Sequence, residues 1–245
     1  MRATPHWAFF ISRPREPTMI QDATDQYIAA ILAHCPLAGK KVLEIGCGGG
    51  RITRDLARHA ASVLATDPDA KALAKARAAV TAENVQFRQA PSGVPEDLPP
   101  ASFDLVIYTL SLHHVPSGAM TASLAAAGRL LRPGGAILVL EPGAEGPFME
   151  AKQRFGIGSG DESREQAAAL AAMEQLSGWQ VGPTIQFETA FLFSDEADFF
   201  AGKVPNHAQL PAERLAQIRE FLTPYKTAEG IVLRAGRRLN VLTRS

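Results

Sequence analysis

The sequence predicts an α/β fold, a doubly wound parallel sheet with helices on both faces, and three observations carry that expectation. Short apolar runs alternate with longer helical patterns across residues 40–142, with only brief turns between them. An apolar strand runs into a glycine-rich turn and then a helix across residues 42–53. An acid, Asp67, closes the second apolar run 21 positions after Gly46, the first glycine of that turn. The 245 residues, 46% of them apolar, suffice for one large domain with a sizeable core.

Taken in order, residues 41–45 read as a buried strand, 51–59 as a helix, 63–66 as a second strand and 69–81 as a second helix. Residues 85–88 form the third strand. Pro91, Pro95, Pro99 and Pro100 then leave little room for a helix, so the stretch to residue 103 is expected to be mostly loop. Residues 103–108 are strongly β-like, 120–131 form an Ala- and Leu-rich helix, and 137–140 follow the Arg132-Pro133-Gly134-Gly135 stop as a fifth strand. Beyond Glu141 a Gly-rich stretch holds a short helix near 149–155, and 162–176 is a clear Ala-rich helix. Residues 184–193 alternate as a strand does, and Ser194-Asp195-Glu196 resembles a helix start. An amphipathic helix over 211–222 has Pro at its first position, and 231–242 reads as two short strands around Ala235-Gly236.

Lys plus Arg and Asp plus Glu are both 25, so no global electrostatic argument favours nucleic acid or an anionic membrane. Two cysteines, Cys35 and Cys47, cannot build a disulfide framework and lack zinc-ligand spacing. The apolar cluster at 7–11 is bounded by Pro5 and Pro14 and is too short for a signal peptide, and no apolar run approaches the ~18 residues of a membrane span. A cytoplasmic protein with no nucleic-acid and no membrane partner is expected, and the sequence carries no signal for oligomeric state.

At a strand-to-helix junction, glycines let the backbone turn sharply and approach a ligand while the helix presents free N–H groups. The spacing is Gly-x-Gly-x-Gly at Gly46, Gly48 and Gly50; Arg51 stands where a dinucleotide fingerprint needs its third glycine, and no Lys-Ser/Thr pair supports a Walker loop. In a doubly wound sheet Asp67 lies beside the loop, where a carboxylate can accept both hydroxyl hydrogens of a ribose. The plainer alternative makes the loop a tight turn and Asp67 a helix cap.

These residues resemble the class I S-adenosylmethionine-dependent methyltransferases, in particular the type 11 small-molecule group. The resemblance rests on Val42-Leu43-Glu44-Ile45-Gly46-Cys47-Gly48-Gly49-Gly50, Ala65-Thr66-Asp67, Ser102-Phe103-Asp104-Leu105-Val106-Ile107, Leu112-His113-His114-Val115 and Leu130-Leu131-Arg132-Pro133-Gly134-Gly135. It implies a Rossmann-like seven-stranded sheet with a reversed C-terminal strand and helical insertions. It further implies one domain over 1–245: an N-terminal helical arm (1–39), a cofactor-binding core (40–142), a covering insertion (143–178), and the last strands with a helical insertion (179–245). The implied cofactor is S-adenosyl-L-methionine. By position Gly46, Cys47, Gly48 and Gly50 would cradle its methionine part and ribose, and Glu44 would orient the loop and the amino group. Asp67 would hold the ribose, Pro68 would lie against adenine, Gln89 and Ala90 would sit at the adenine edge, and the backbone of Tyr108 and Thr109 would meet the ammonium group. Gln89 departs from the acid many members carry there.

A methyl on a sulfonium needs mainly an aligned nucleophile and a dry site, so a strong base is not obligatory. His114, or His113, is the best-placed base if one is used, although the sequence favours a local structural role for the pair. The two adjacent rings are expected to point apart, with no i+3 or i+4 partner, so no metal site is expected. Asp104 reads as a strand-start residue at the opposite sheet edge, and Arg51 either meets a ligand carboxylate or is solvated. Substrate would lie under the N-terminal arm, with Trp7, Phe9, Phe10 and Tyr27, and the insertion, with Phe148, Met149, Phe155, Lys152 and Arg154; Phe199, Phe200 and Phe221 read as helix core. The function expected is methyl transfer to O, N or C of a small molecule. The alternatives are a non-catalytic protein that binds S-adenosylmethionine or S-adenosylhomocysteine for regulation or scaffolding, and an NAD-linked oxidoreductase, which Arg51 disfavours.

Overall fold

The computed structural model describes residues 19–204 and 206–245. Trp7, Phe9 and Phe10, expected in the covering arm, lie outside the described residues. The chain runs β1 (Ile20–Gln21), α1 (Gln26–His34), β2 (Lys41–Ile45), α2 (Arg51–Ala57), β3 (Ser62–Asp67), α3 (Ala70–Ala79), β4 (Val85–Gln89) and β5 (Phe103–Thr109). There follow α4 (Met120–Arg129), β6 (Leu131–Pro142), α5 (Pro147–Phe155), α6 (Ser163–Glu174), β7 (Trp179–Val181), β8 (Ile185–Phe193), α7 (Glu196–Lys203), α8 (Ala212–Leu222), β9 (Lys226–Thr227) and β10 (Gly230–Arg244).

The strands form one sheet in the order β1-β8-β10-β6-β5-β2-β3-β4, with β7 and β9 pairing β10. The pairs β2–β3, β3–β4, β2–β5 and β5–β6 are parallel, whereas β10 runs antiparallel to both β6 and β8. Setting aside the two- and three-residue strands β1, β7 and β9 leaves seven, and the reversed one is β10. The near-continuous apolar runs of β2, β5 and β6 follow from burial on both faces, the usual state of parallel strands.

Alternation along β6 separates the two layers. Ile137 and Val139 face a core with Met120, Leu124 and Ala127 of α4 and Ala169, Ala172 and Met173 of α6. Leu138 and Leu140 face the opposite core, with Tyr27 and Ile31 of α1, Ile52 and Leu56 of α2 and Leu73 of α3. A third cluster joins α5, α7 and α8 to the first half of β10 and the end of β8; Phe199 and Phe200 are buried in it and Phe221 packs at its margin.

Two expectations are corrected. The Arg132-Pro133-Gly134-Gly135 segment does not precede the fifth strand but is taken into β6, and the register slips there: Phe103 faces Leu131, yet Leu105 faces Ala136. Ala235-Gly236 does not divide the C-terminal segment; β10 is one strand of 15 residues. Gly236 serves close approach instead. Its N–H donates to the Glu145 carbonyl (2.8 Å), and its carbonyl accepts from the Gly143 N–H (2.8 Å), so the chain leading into α5 lies against the middle of the strand.

A Cβ on Gly143 would stand 2.8 Å from the backbone carbon of Gly236. Gly143→Ala is therefore expected to destabilise the fold by roughly 1–3 kcal/mol, by displacing the start of α5 from β10. Urea unfolding checks this, and an unchanged midpoint would count against the close-approach reading.

Candidate active site

The site is built on the turn between β2 and α2. Gly46 adopts φ 75°, and a Cβ there would lie 2.2 Å from the Cβ of Ser111, so only glycine fits. The Gly48 N–H donates to Oδ2 of Asp67 (2.8 Å), while Oδ1 accepts from the Asp69 N–H (2.8 Å). One carboxylate at the end of β3 thus fixes both the glycine loop and the entry to α3, whose cap Asp69 accepts from the Lys71 N–H. Behind the loop, Glu44 is fully buried and accepts from the hydroxyls of Thr53 (2.6 Å) and Thr109 (2.9 Å). Burial pushes its carboxyl up to about 7, against the opposing effect of the two hydroxyl bonds.

Above the turn lies a cavity of about 1100 Å³, at the upper end of small-molecule sites. Gly46, Cys47, Gly48, Asp67, Pro68 and Thr109 line it. Burial raises the Cys47 thiol far above its ordinary value, so it is an inert wall. Glu44, Gly50, Gln89, Ala90 and Tyr108 are not among the lining residues. Gln89 is turned to donate its amide to the Pro68 carbonyl (2.9 Å), Gly50 packs on Ala76 of α3, and the buried Tyr108 hydroxyl bonds Ser123 (2.8 Å). At the edge expected for Gln89, the wall is Ser92, Gly93 and Val94 of the Pro-rich loop; the Thr66 hydroxyl donates to the Gly93 carbonyl (2.7 Å) and holds that loop in place. The sequence reading missed these residues, although the position of their loop just after β4 was the available signal.

Arg51 lines the same cavity. Its Nη1 is 3.9 Å from Asp22 Oδ2 and its guanidinium lies 4.6 Å from the Tyr27 ring centre. Its Nη2 is buried and has no hydrogen-bond partner among the described residues.

His113 and His114 sit on a single 3-10 turn after β5. His113 is buried and its Nδ1 bonds Glu141, a fully buried acid whose other oxygen accepts from the Leu112 N–H (3.0 Å). His114 is 61% exposed in its side chain, and burial of its inner part, with His113 beside it, holds it below the ordinary imidazole value. The expectation that the two rings diverge is corrected: their centres are 4.0 Å apart, and Glu162, at the start of α6, lies 3.9 Å from a ring nitrogen of each. The three could in principle ligate a cation. Glu162, however, is held by Lys152 Nζ at 2.6 Å; despite burial, which raises its pKa, that bond keeps its carboxyl below the usual range. The ammonium already supplies the charge a metal would bring. Asp104, at the far end of the strands, accepts from the Lys41 N–H (2.7 Å) and Arg132 (2.9 Å), a structural role.

A second cavity of about 270 Å³ adjoins the first and shares Gln21, Leu110 and His114 with it. Of the expected lid residues Phe148, Met149 and Lys152 line it; Phe155 and Arg154 do not, and Arg154 instead pairs with Glu150 (2.7 Å). Lys203 and Arg237 also line it and were missed by the sequence reading, because neither is near the lid in sequence.

A family model described as a methyltransferase domain matches residues 42–135. A ubiquinone biosynthesis O-methyltransferase of Azoarcus sp. (strain BH72) is 37% identical over 106 residues, 42% of this chain and 45% of that protein. The matched stretch thus spans about half the length of the curated relatives. A solved structure from Bacillus halodurans, described as a candidate methyltransferase, shares the fold over 89% of this chain and 98% of its own, with TM-score 0.58 and 16% identity. An S-adenosylmethionine-dependent methyltransferase from Aquifex aeolicus does so over 64% and 82%, with TM-score 0.53 and 18% identity. Residues 42–135 of this chain are a methyltransferase domain of the class I S-adenosylmethionine-dependent family.

Proposed function

We propose that the protein transfers a methyl group from S-adenosylmethionine to O, N or C of a small molecule, its segments acting as one domain. The observation that carries this reading is the large cavity over the glycine loop, lined by Asp67 and by Arg51, whose buried Nη2 has no partner among the described residues. The residues present fit the cofactor. Backbone at Gly48 leaves room for close approach: among the described residues, apart from its chain neighbours, no heavy atom lies within 4 Å of where a Gly48 Cβ would stand. Asp67 spends one lone pair of each oxygen on the N–H groups of Gly48 and Asp69, which leaves lone pairs for ribose hydroxyls. Arg51 Nη2 suits the methionine carboxylate. Pro68 and the 92–94 loop flank the base.

Glu44, Gln89 and Tyr108 act as positioning residues in this reading. Glu44 ties β2 to α2 and β5 through two threonines, Gln89 fixes the Pro68 carbonyl, and Tyr108 fixes Ser123, itself a cavity residue. Bound S-adenosylmethionine supplies a methyl on a positively charged sulfur, whose C–S bond breaks with its electron pair left on sulfur. The protein's own contribution is alignment and exclusion of water. His114, which lines both cavities and is held below its ordinary value, favours the neutral form and can take a proton from an acceptor hydroxyl or amine. A cytoplasmic location suits the two free cysteines, Cys35 and Cys47.

Calorimetric titration should show binding of both S-adenosylmethionine and S-adenosylhomocysteine; absence of heat and of any thermal shift with either would defeat the reading. Arg51→Met should weaken both by about tenfold or more, the worth of a charge-assisted hydrogen bond, with the circular dichroism spectrum unchanged. Glu44 also predicts a pH dependence. Its folded value near 7 exceeds the ordinary 4.5, so the folded state holds the extra proton between those limits. Stability from this group is complete below about 4.5 and is lost as the pH rises through 7, by an amount on the order of 3 kcal/mol. Glu44→Gln should therefore flatten stability between these pH values in urea titrations, and a profile parallel to the parent's would contradict the assignment.

A further inference from the structure

The smaller cavity carries an unbalanced charge. Three cations, Lys152, Lys203 and Arg237, reach its wall. Lys152 is neutralised by Glu162 at 2.6 Å. Arg237 is 4% exposed, yet among the described residues its hydrogen bonds go only to neutral acceptors, the Tyr27 hydroxyl (2.7 Å) and the Gly236 carbonyl (3.0 Å). The Lys203 side chain has no hydrogen bond or ion pair among the described residues; its Nζ lies 5.4 Å from the Phe148 ring centre and 5.2 Å from that of Phe191, and the Arg237 guanidinium is 5.5 Å from the latter. Burial, then the neighbouring Lys152 and Arg237, hold the Lys203 ammonium below its ordinary value. Two half- to fully buried cations without a counter-ion among the described residues are costly to keep, and a ligand anion would remove that cost.

The other walls narrow the anion. Phe148, Met149 and Phe191 present apolar surface, which suits an aryl or alkyl group. Glu162, and Glu141 bonded to the lining His113, put acidic oxygens at or behind the cavity wall, which disfavours a doubly charged phosphate. A volume of about 270 Å³ suits a compact acid. Gln21, His114 and Leu110 line both this cavity and the cofactor cavity, and Leu110 is held at φ 58°, a strained conformation for a leucine that its N–H bond to the Leu140 carbonyl (2.8 Å) maintains.

We propose that this cavity is the acceptor subsite and that it takes a small aryl or alkyl carboxylate, with Arg237 and Lys203 holding the carboxylate and the remainder of the molecule directed toward His114. The proposal rests on the methyltransferase reading above and deepens it. Arg237 is oriented for this by the Tyr27 hydroxyl of α1, which accepts from its Nε.

The test is titration of the protein saturated with S-adenosylhomocysteine, using benzoate and indole-3-acetate, each beside its neutral amide, together with phenyl phosphate. At least one acid should bind about tenfold or more tightly than its amide. Lys203→Met should remove that preference, Lys203→Arg should retain it, and neither should change the affinity for S-adenosylhomocysteine. Equal binding of acids and amides, binding of neither acid, or tighter binding of phenyl phosphate would overturn the carboxylate assignment while S-adenosylhomocysteine still binds. Failure of S-adenosylhomocysteine itself to bind would instead remove the methyltransferase reading.

Discussion

The buried carboxylate of Glu44 ties together more of this molecule than any other single group near the site. It sits on β2 with no solvent contact, and its two oxygens take the hydroxyls of Thr53 on α2 and Thr109 at the end of β5. A helix and two paired strands that converge on the glycine turn are therefore referred to one point. A buried acid is costly unless its acceptors are satisfied, and here both are. The turn itself can then be made of glycines, which add no side-chain contacts of their own, because its ends are clamped from behind by Glu44 and from the side by Asp67.

From that clamp the two cavities follow. Parallel strands β2, β3, β5 and β6 end at the same edge, so the loops after them, with Asp67, Thr109 and His114, surround one space. The reversed strand β10 closes the other side. Because it lies between β6 and β8, it brings Arg237 next to Tyr27 of α1 and opposite α5, and the pair Gly143 and Gly236 lets α5 start close against it. The start of α5, which lines the second cavity, is thus attached to the sheet by backbone bonds rather than by a long free loop, which favours a preformed cavity over one assembled on binding.

Much of the fold was legible because it depends on local pattern. The five parallel strands read as apolar runs, the glycine turn as a spacing, and Asp67 as an acid at a fixed distance from it. The errors have a common origin. Gly236 and the Arg132–Gly135 stretch were read as breaks because glycine and proline usually interrupt strands, whereas here the first accommodates a crossing backbone and the second a slip in register. Gln89 was assigned a ligand role by position alone, yet its amide finds a nearer partner in the Pro68 carbonyl.

The sequence by itself determined the parallel core, the loop with its acid, and the family to which residues 42–135 belong, since each of these is written in residues close together in the chain. Tertiary structure alone decided which charges meet. His113 and Glu141 are 28 positions apart, and Tyr27 and Arg237 are separated by 210; no local pattern joins either pair. The first contact exists because β5 and β6 lie side by side and the second because β10 inserts between β6 and β8, and a charge's role is set by the groups that face it across the fold rather than by its neighbours in the chain.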